Sequence, residues 1–128
     1  MSKTSIGFVI ASLIYLAVGV ALGVLFFIVP EMRVLRSVHV HLNVVGFVTF
    51  MIFGVAYHIL PRFRGKPLHS EPLAWVQFWL ANIGLIGLLV SMTLYQPIAG
   101  LYVIGALFAA ILALSIYLFI YNMARTLI

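Results

Sequence analysis

Two histidines, His39 and His41, stand one residue apart in an otherwise apolar stretch, RSVHVHLNVVGFVTFMIFGVAYHILPRF over residues 36–63. Imidazole is the side chain suited to ligating a transition metal or moving a proton near neutral pH. Two residues of α-helix turn through about 200°, so the two rings leave nearly opposite faces and cannot grip one ion from an unbroken helix. The i, i+4 spacing that places two ligands on one face is different. Each imidazole therefore needs its own partner, because an unpartnered polar group in hydrocarbon is costly. One solution is the outer headgroup region, where water, Ser37, Asn43 and nearby arginines satisfy both rings. The other is a flat cofactor against each face of the helix. His58 belongs to neither site, since the 17 residues separating it from His41 span roughly 25 Å of helix.

The elements that must position these rings are membrane spans. Of 128 residues, 66% are hydrophobic and 7% charged, and the mean hydropathy of +1.28 is far above that of a water-soluble domain. Proline, glycine and charge clusters mark off four apolar stretches in a single domain over 1–128: about 6–29, 38–60, 73–94 and 98–124. Each is long enough to cross a bilayer. The first exceeds a signal-peptide core and lacks an obvious cleavage site, so it is expected to remain as a span. Short connections, the third little more than a turn at Tyr95-Gln96-Pro97, predict an all-α, integral membrane, up-down four-helix bundle. Pro61 is expected to stop the second helix and Pro72 to open the third.

Lys3, Arg62, Arg64, Lys66 and Arg125 fall on one side of this plan and only Arg33 and Arg36 on the other. The positive-inside rule then places both termini in the cytoplasm and the protein in the cell inner membrane. The histidine pair falls in the first outer turns of the second helix and His58 at its inner end. The net charge of +5 is accounted for by this topology, and no nucleic-acid partner is expected. Cysteine is absent, which removes disulfides, thiolate metal centres, iron–sulfur clusters and covalently attached c-type haem from this chain.

The pattern His39-x-His41, Gly46-Phe47, Gly54, Tyr57 and Pro61-Arg62 resembles the tenth transmembrane helix of the haem-copper oxidase main subunit, above all that of the cbb-type oxidases and the related nitric oxide reductases. The resemblance is sharp over residues 36–63 and elsewhere rests on hydropathy and helix count. It implies that His39 takes the position of the proximal ligand of the high-spin haem and His41 that of a low-spin haem ligand, with haem b held non-covalently. It also implies that the chain corresponds to the last four of the family's twelve helices. The family completes its low-spin site with a histidine from another helix and holds copper with three more. This chain has no such residues, so no copper is expected, and one copy is not expected to reduce oxygen or nitric oxide. The family's three four-helix arcs surround a pseudo-threefold axis, which a homotrimer of this chain would rebuild, His39 of one copy facing His41 of the next across a haem.

Other residues carry two readings each. Met92 is either a methionine ligand at the depth of the pair or a packing residue. Arg33 and Arg36 suit haem propionates or lipid headgroups. Asn43 orients an imidazole or binds neighbouring backbone. Gly46 and Gly54 admit a porphyrin or another helix. His58 is a ligand of a second site, a proton relay near a quinone headgroup, or an interfacial histidine, and His69 is solvated. The leading expectation is a b-haem protein of electron transfer or of haem or gas handling, working with a redox partner or quinol. The alternative is a cofactor-free accessory or assembly subunit of a larger respiratory oxidase.

Overall fold

A computed structural model describes residues 1–94 and 100–128, and all of its regular elements are helical. They are α1 (Lys3–Ile28), a 3-10 turn (Pro30–Leu35), α2 (Arg36–His41), a π-helical segment (Leu42–Thr49), α3 (Phe50–Arg64), α4 (Glu71–Leu94) and α5 (Leu101–Leu127). The elements from Pro30 to Arg64 form one continuous second span, so four helices are long and apolar enough to cross a membrane. The expected third connection at Tyr95-Gln96-Pro97, and the expected start of the fourth span at Ile98, lie outside the described residues.

The second span departs from its expected limits of 38–60 at both ends. Val29 is extended at φ −126°, ψ 90°, as expected for a residue that precedes proline, and reverses the chain in one step. Pro30 then starts a helix immediately, because a first-turn position does not need its missing N–H. At the far end, Pro61 does not stop the helix, which runs on to Arg64. The stop is Gly65, at φ +66°, where the Gly65 and Lys66 amides bond back to the carbonyls of Arg62 and Pro61 at 3.0 and 3.1 Å. This left-handed closure is easily adopted only without a Cβ. Pro72 does lie in the first turn of α4, where the Ser70 hydroxyl accepts from the Leu73 amide at 3.2 Å.

Neighbouring helices are antiparallel. Along α1 and the second span, Gly23 meets His39, Gly19 meets Asn43, Gly46 meets Tyr15, and Gly54 meets Ser5. Along α4 and α5, Gly84 meets Leu112, Gly87 meets Phe108 and Ser91 meets Gly105. Tyr15 joins the two pairs, its hydroxyl donating to Asn82 Oδ1 on α4 at 2.8 Å. Edge-on aromatic contacts fill the middle: Phe8 lies 5.3 Å from Phe50 and 5.1 Å from Phe78, and Phe53 lies 4.3 Å from Phe119, tilted against it. Asn122 holds the α3–α4 connection, accepting from the Ser70 amide and donating to its carbonyl. Two buried polar groups, the Tyr57 hydroxyl and the Gln77 amide, have no hydrogen-bond partner among the described residues.

The small residues between α4 and α5 set the interhelical distance, since association within lipid relies on close packing of backbones. A Cβ on Gly84 would sit 2.6 Å from the Leu112 amide nitrogen, whereas one on Gly105 would meet Ser91 Cβ at 3.4 Å. Gly84→Ala should therefore lower stability by about 1–3 kcal/mol through overpacking. Gly105→Ala should be neutral or slightly stabilising through helix propensity. Thermal unfolding in detergent, followed by helical circular dichroism, separates the two, and equal effects would contradict this packing.

Candidate functional site

His39 and His41 both lie in α2, the short stretch of regular α-helix inside the second span, so their opposed directions persist. The helix starts at Pro30, so nine residues of helix, roughly 15 Å, separate His39 from the start of the span. Inside a membrane span a ring N–H has to find its acceptor within the protein.

For His39 the partner is on α1. Its Nδ1 lies 2.8 Å from the carbonyl oxygen of Gly19. A carbonyl only accepts, so Nδ1 carries the hydrogen and donates, and Nε2 keeps its lone pair. Asn43 Nδ2 is 3.4 Å from the same Nδ1, but two donors do not bond. Its real acceptor is the His39 carbonyl, one turn back, at 2.8 Å. The two glycines of α1 make room: a Cβ on Gly19 would lie 2.7 Å from Asn43 Nδ2, and one on Gly23 would lie 2.9 Å from His39 Cε1.

His41 solves the same problem locally. Its Nδ1 lies 2.9 Å from the carbonyl of Ser37, one turn earlier in the same helix, which again sets the Nδ1–H tautomer. The two rings are half-buried, and neither Nε2 has a hydrogen-bond partner among the described residues. Anchoring one ring nitrogen on a main-chain carbonyl orients an imidazole and raises the basicity of the other nitrogen, as is usual in metal-ligating histidines.

A cavity of about 660 Å³ opens beside His39, lined by Phe26, Phe27, Arg33, Arg36 and Val40. That volume lies in the range of small-molecule and cofactor sites. The Phe26 ring stands edge-on to the imidazole at 5.4 Å. Arg33 is anchored by its Nε on the Phe26 carbonyl at 3.2 Å, complementing the C-terminus of α1, while its guanidinium fork and that of Arg36 remain exposed. The structure thus brings His39, Arg33 and Arg36 to one cavity, while His41 faces away from it. Met92 is half-buried near the end of α4 and forms no polar contact with either ring. Gly46 and Gly54 both admit α1, the helix rather than the porphyrin reading. Among the described residues no three His, Asp or Glu side chains converge. What the site offers is one imidazole Nε2 per face.

Sequence reasoning missed the Gly19 carbonyl, which has no residue code of its own. Side-chain nitrogen NMR of histidine should report the Nδ1–H tautomer for both His39 and His41. Gly23→Ala should shift the His39 resonances and leave those of His41 in place. An Nε2–H tautomer at His39 would overturn the anchor.

Comparison with known proteins adds a lineage to this geometry. A stretch of 55 residues is 38% identical to the cbb3-type cytochrome c oxidase subunit CcoN1 of Stutzerimonas stutzeri, covering 42% of this chain but only 12% of that protein. No solved structure matches. The family model described as cytochrome c and quinol oxidase polypeptide I matches residues 3–128. The chain is accordingly a multi-pass, haem-copper-oxidase-like membrane protein that belongs to the polypeptide I family of cytochrome c and quinol oxidases.

Proposed function

We propose that this chain binds haem b between copies of itself and passes electrons along the membrane's outer side. In this reading His39 and His41 are the axial ligands, and a homotrimer brings His39 of one copy opposite His41 of the next. The observation that carries it is the shared tautomer: both Nδ1–H groups are spent on carbonyls, of Gly19 and of Ser37, and both Nε2 atoms are left as donors to iron. Opposed ligands on one helix cannot serve a single iron, and closed cyclic symmetry supplies the second ligand without further residues. Of the four histidines, His58 and His69 lie toward the other end of the bundle, so one copy brings only the pair to this level.

Bound haem would supply one-electron chemistry at its iron. The chain's residues hold and orient it. Gly23 leaves room for the His39 ring, Gly19 fixes its plane, and Arg33 and Arg36 at the cavity offer forks to the propionate carboxylates. Asn43 steadies the α2 backbone from below through the His39 carbonyl. The distribution of Lys and Arg supports termini on the cytoplasmic side of the inner membrane, with the histidine pair nearer the outer face.

The test is a visible spectrum of the purified chain supplied with haem, joined to a native mass measurement. The expected result is a Soret band, a sharp α-band on reduction and a mass of three copies. His39→Ala and His41→Ala should each abolish the low-spin α-band, because each haem draws one ligand from each position. A colourless chain, or a His41→Ala spectrum identical to the parent's, overturns the assignment; a colourless chain that co-purifies with a larger oxidase would point to the accessory role.

A further inference from the structure

At the end of the bundle far from the histidine pair, a second cavity of about 240 Å³ opens between α3 and the start of α4, lined by Tyr57, His58, Arg62, Lys66 and Glu71 among others. The closure at Gly65 creates it. His58 and Arg62 share a face at i, i+4, and Arg62 donates to His58 Nε2, which holds that imidazole neutral as an acceptor. The bond from the Lys66 amide to the Pro61 carbonyl then folds the chain back, bringing Lys66 to the same mouth. At the wall stands Tyr57, 4% exposed, its ring packed on Phe119 and its hydroxyl sealed from the cavity.

We infer that this cavity is a binding site for a phosphate anion, with Arg62 and Lys66 as its cations. Arg62 lies in the last turn of α3 and Glu71 in the first turn of α4, so the cavity sits where spans emerge and lipid phosphates lie. The Met1 amino group lines the cavity as well, so cations outnumber the one carboxylate, Glu71, and the lining favours an anion. Glu71 is also an acceptor for a headgroup hydroxyl, so an anionic phospholipid such as phosphatidylglycerol fits the site as well as free phosphate. The site does not depend on haem binding at the other end.

Trp75 and Trp79 are the chain's two tryptophans, and Trp75 lines a neighbouring cavity that shares Ser2 and Glu71 with this one. Quenching of their fluorescence by lipids with brominated chains therefore reads local lipid occupancy. In phosphatidylcholine vesicles containing equal fractions of brominated phosphatidylglycerol or brominated phosphatidylcholine, the glycerol lipid should quench preferentially. Arg62→Gln and Lys66→Gln should each reduce that preference about fivefold. Tyr57→Phe, which keeps the ring packed on Phe119 and removes only the sealed hydroxyl, should leave it intact. Arg64→Gln removes the same charge from the same turn, but from a residue outside the cavity lining, and should leave the preference intact. Excess inorganic phosphate distinguishes the sources: erasing the preference shows a site for the bare anion, and no effect shows one that needs the lipid headgroup. Equal quenching by both lipids in the parent chain overturns the inference. So does an Arg64→Gln effect as large as that of Arg62→Gln, which would mean diffuse surface attraction.

Discussion

Everything at the histidine end depends on the hydrogen bond between His39 Nδ1 and the Gly19 carbonyl. Water is not available in the hydrocarbon layer to take an imidazole N–H, so an acceptor has to come from the protein. In α1 that acceptor is a carbonyl already within a helical ladder, which has a second lone pair to give. It can be reached only because residues 19 and 23 lack side chains and the second span can lie close. One bond thus couples three things that look separate: the contact distance of two helices, their antiparallel register, and the tautomer that frees Nε2.

The π-helical segment Leu42–Thr49 serves the same arrangement. Eight residues of ideal α-helix would rotate Gly54 about 80° away from Gly46. The wider turn absorbs much of that difference, so both glycines face α1, one at Tyr15 and the other at Ser5. Thr49 caps the irregularity, its hydroxyl donating to the Val44 carbonyl five residues back at 2.9 Å. Because the wide turn begins after His41, α2 keeps its regular geometry and the pair keeps its opposed directions. Such segments are uncommon inside helices and recur at functional sites. Here the irregularity lies directly below the pair, allowing the lower half of the span to pack on α1 without rotating the histidines.

The legible part of this protein was the part encoded by residue type. Four spans followed from hydropathy, and the two-residue spacing of His39 and His41 dictated opposed faces on any regular helix. Proline was the less dependable sign. Pro30 opened a helix where a loop was expected, because its missing N–H had no helical partner to lose, whereas Pro61 sat inside one and the helix ran on despite the bond forgone to the Tyr57 carbonyl. Gly65 was the true terminator, yet a glycine in a polar connection has no distinguishing mark until its φ is known. The anchor of His39 was illegible for a deeper reason: its acceptor is main chain, common to every residue, and only the packing of two helices selects Gly19. The π segment also escaped, since a hydropathy pattern over eight residues does not separate a wide turn from a regular one.

The two polar ends of the bundle are electrostatically independent to a useful degree. Between them lies the aromatic layer of Phe8, Phe50, Phe53, Phe78 and Phe119, in which Phe8 and Phe50 are wholly buried. Arg62 and Lys66 stand at least the roughly 25 Å of the His41 to His58 separation away from the pair. A unit charge at that distance contributes about 0.7 kcal/mol at an effective dielectric constant of about 20. Arg33 and Arg36 line the same cavity as His39 and act at much shorter range. Charge changes at the Gly65 end therefore leave the ligand end nearly untouched, whereas the two arginines beside His39 are placed to set its field. A chain of this size can in this way hold two polar ends, one of histidines and arginines and one of Arg62, Lys66 and Glu71, without either constraining the other.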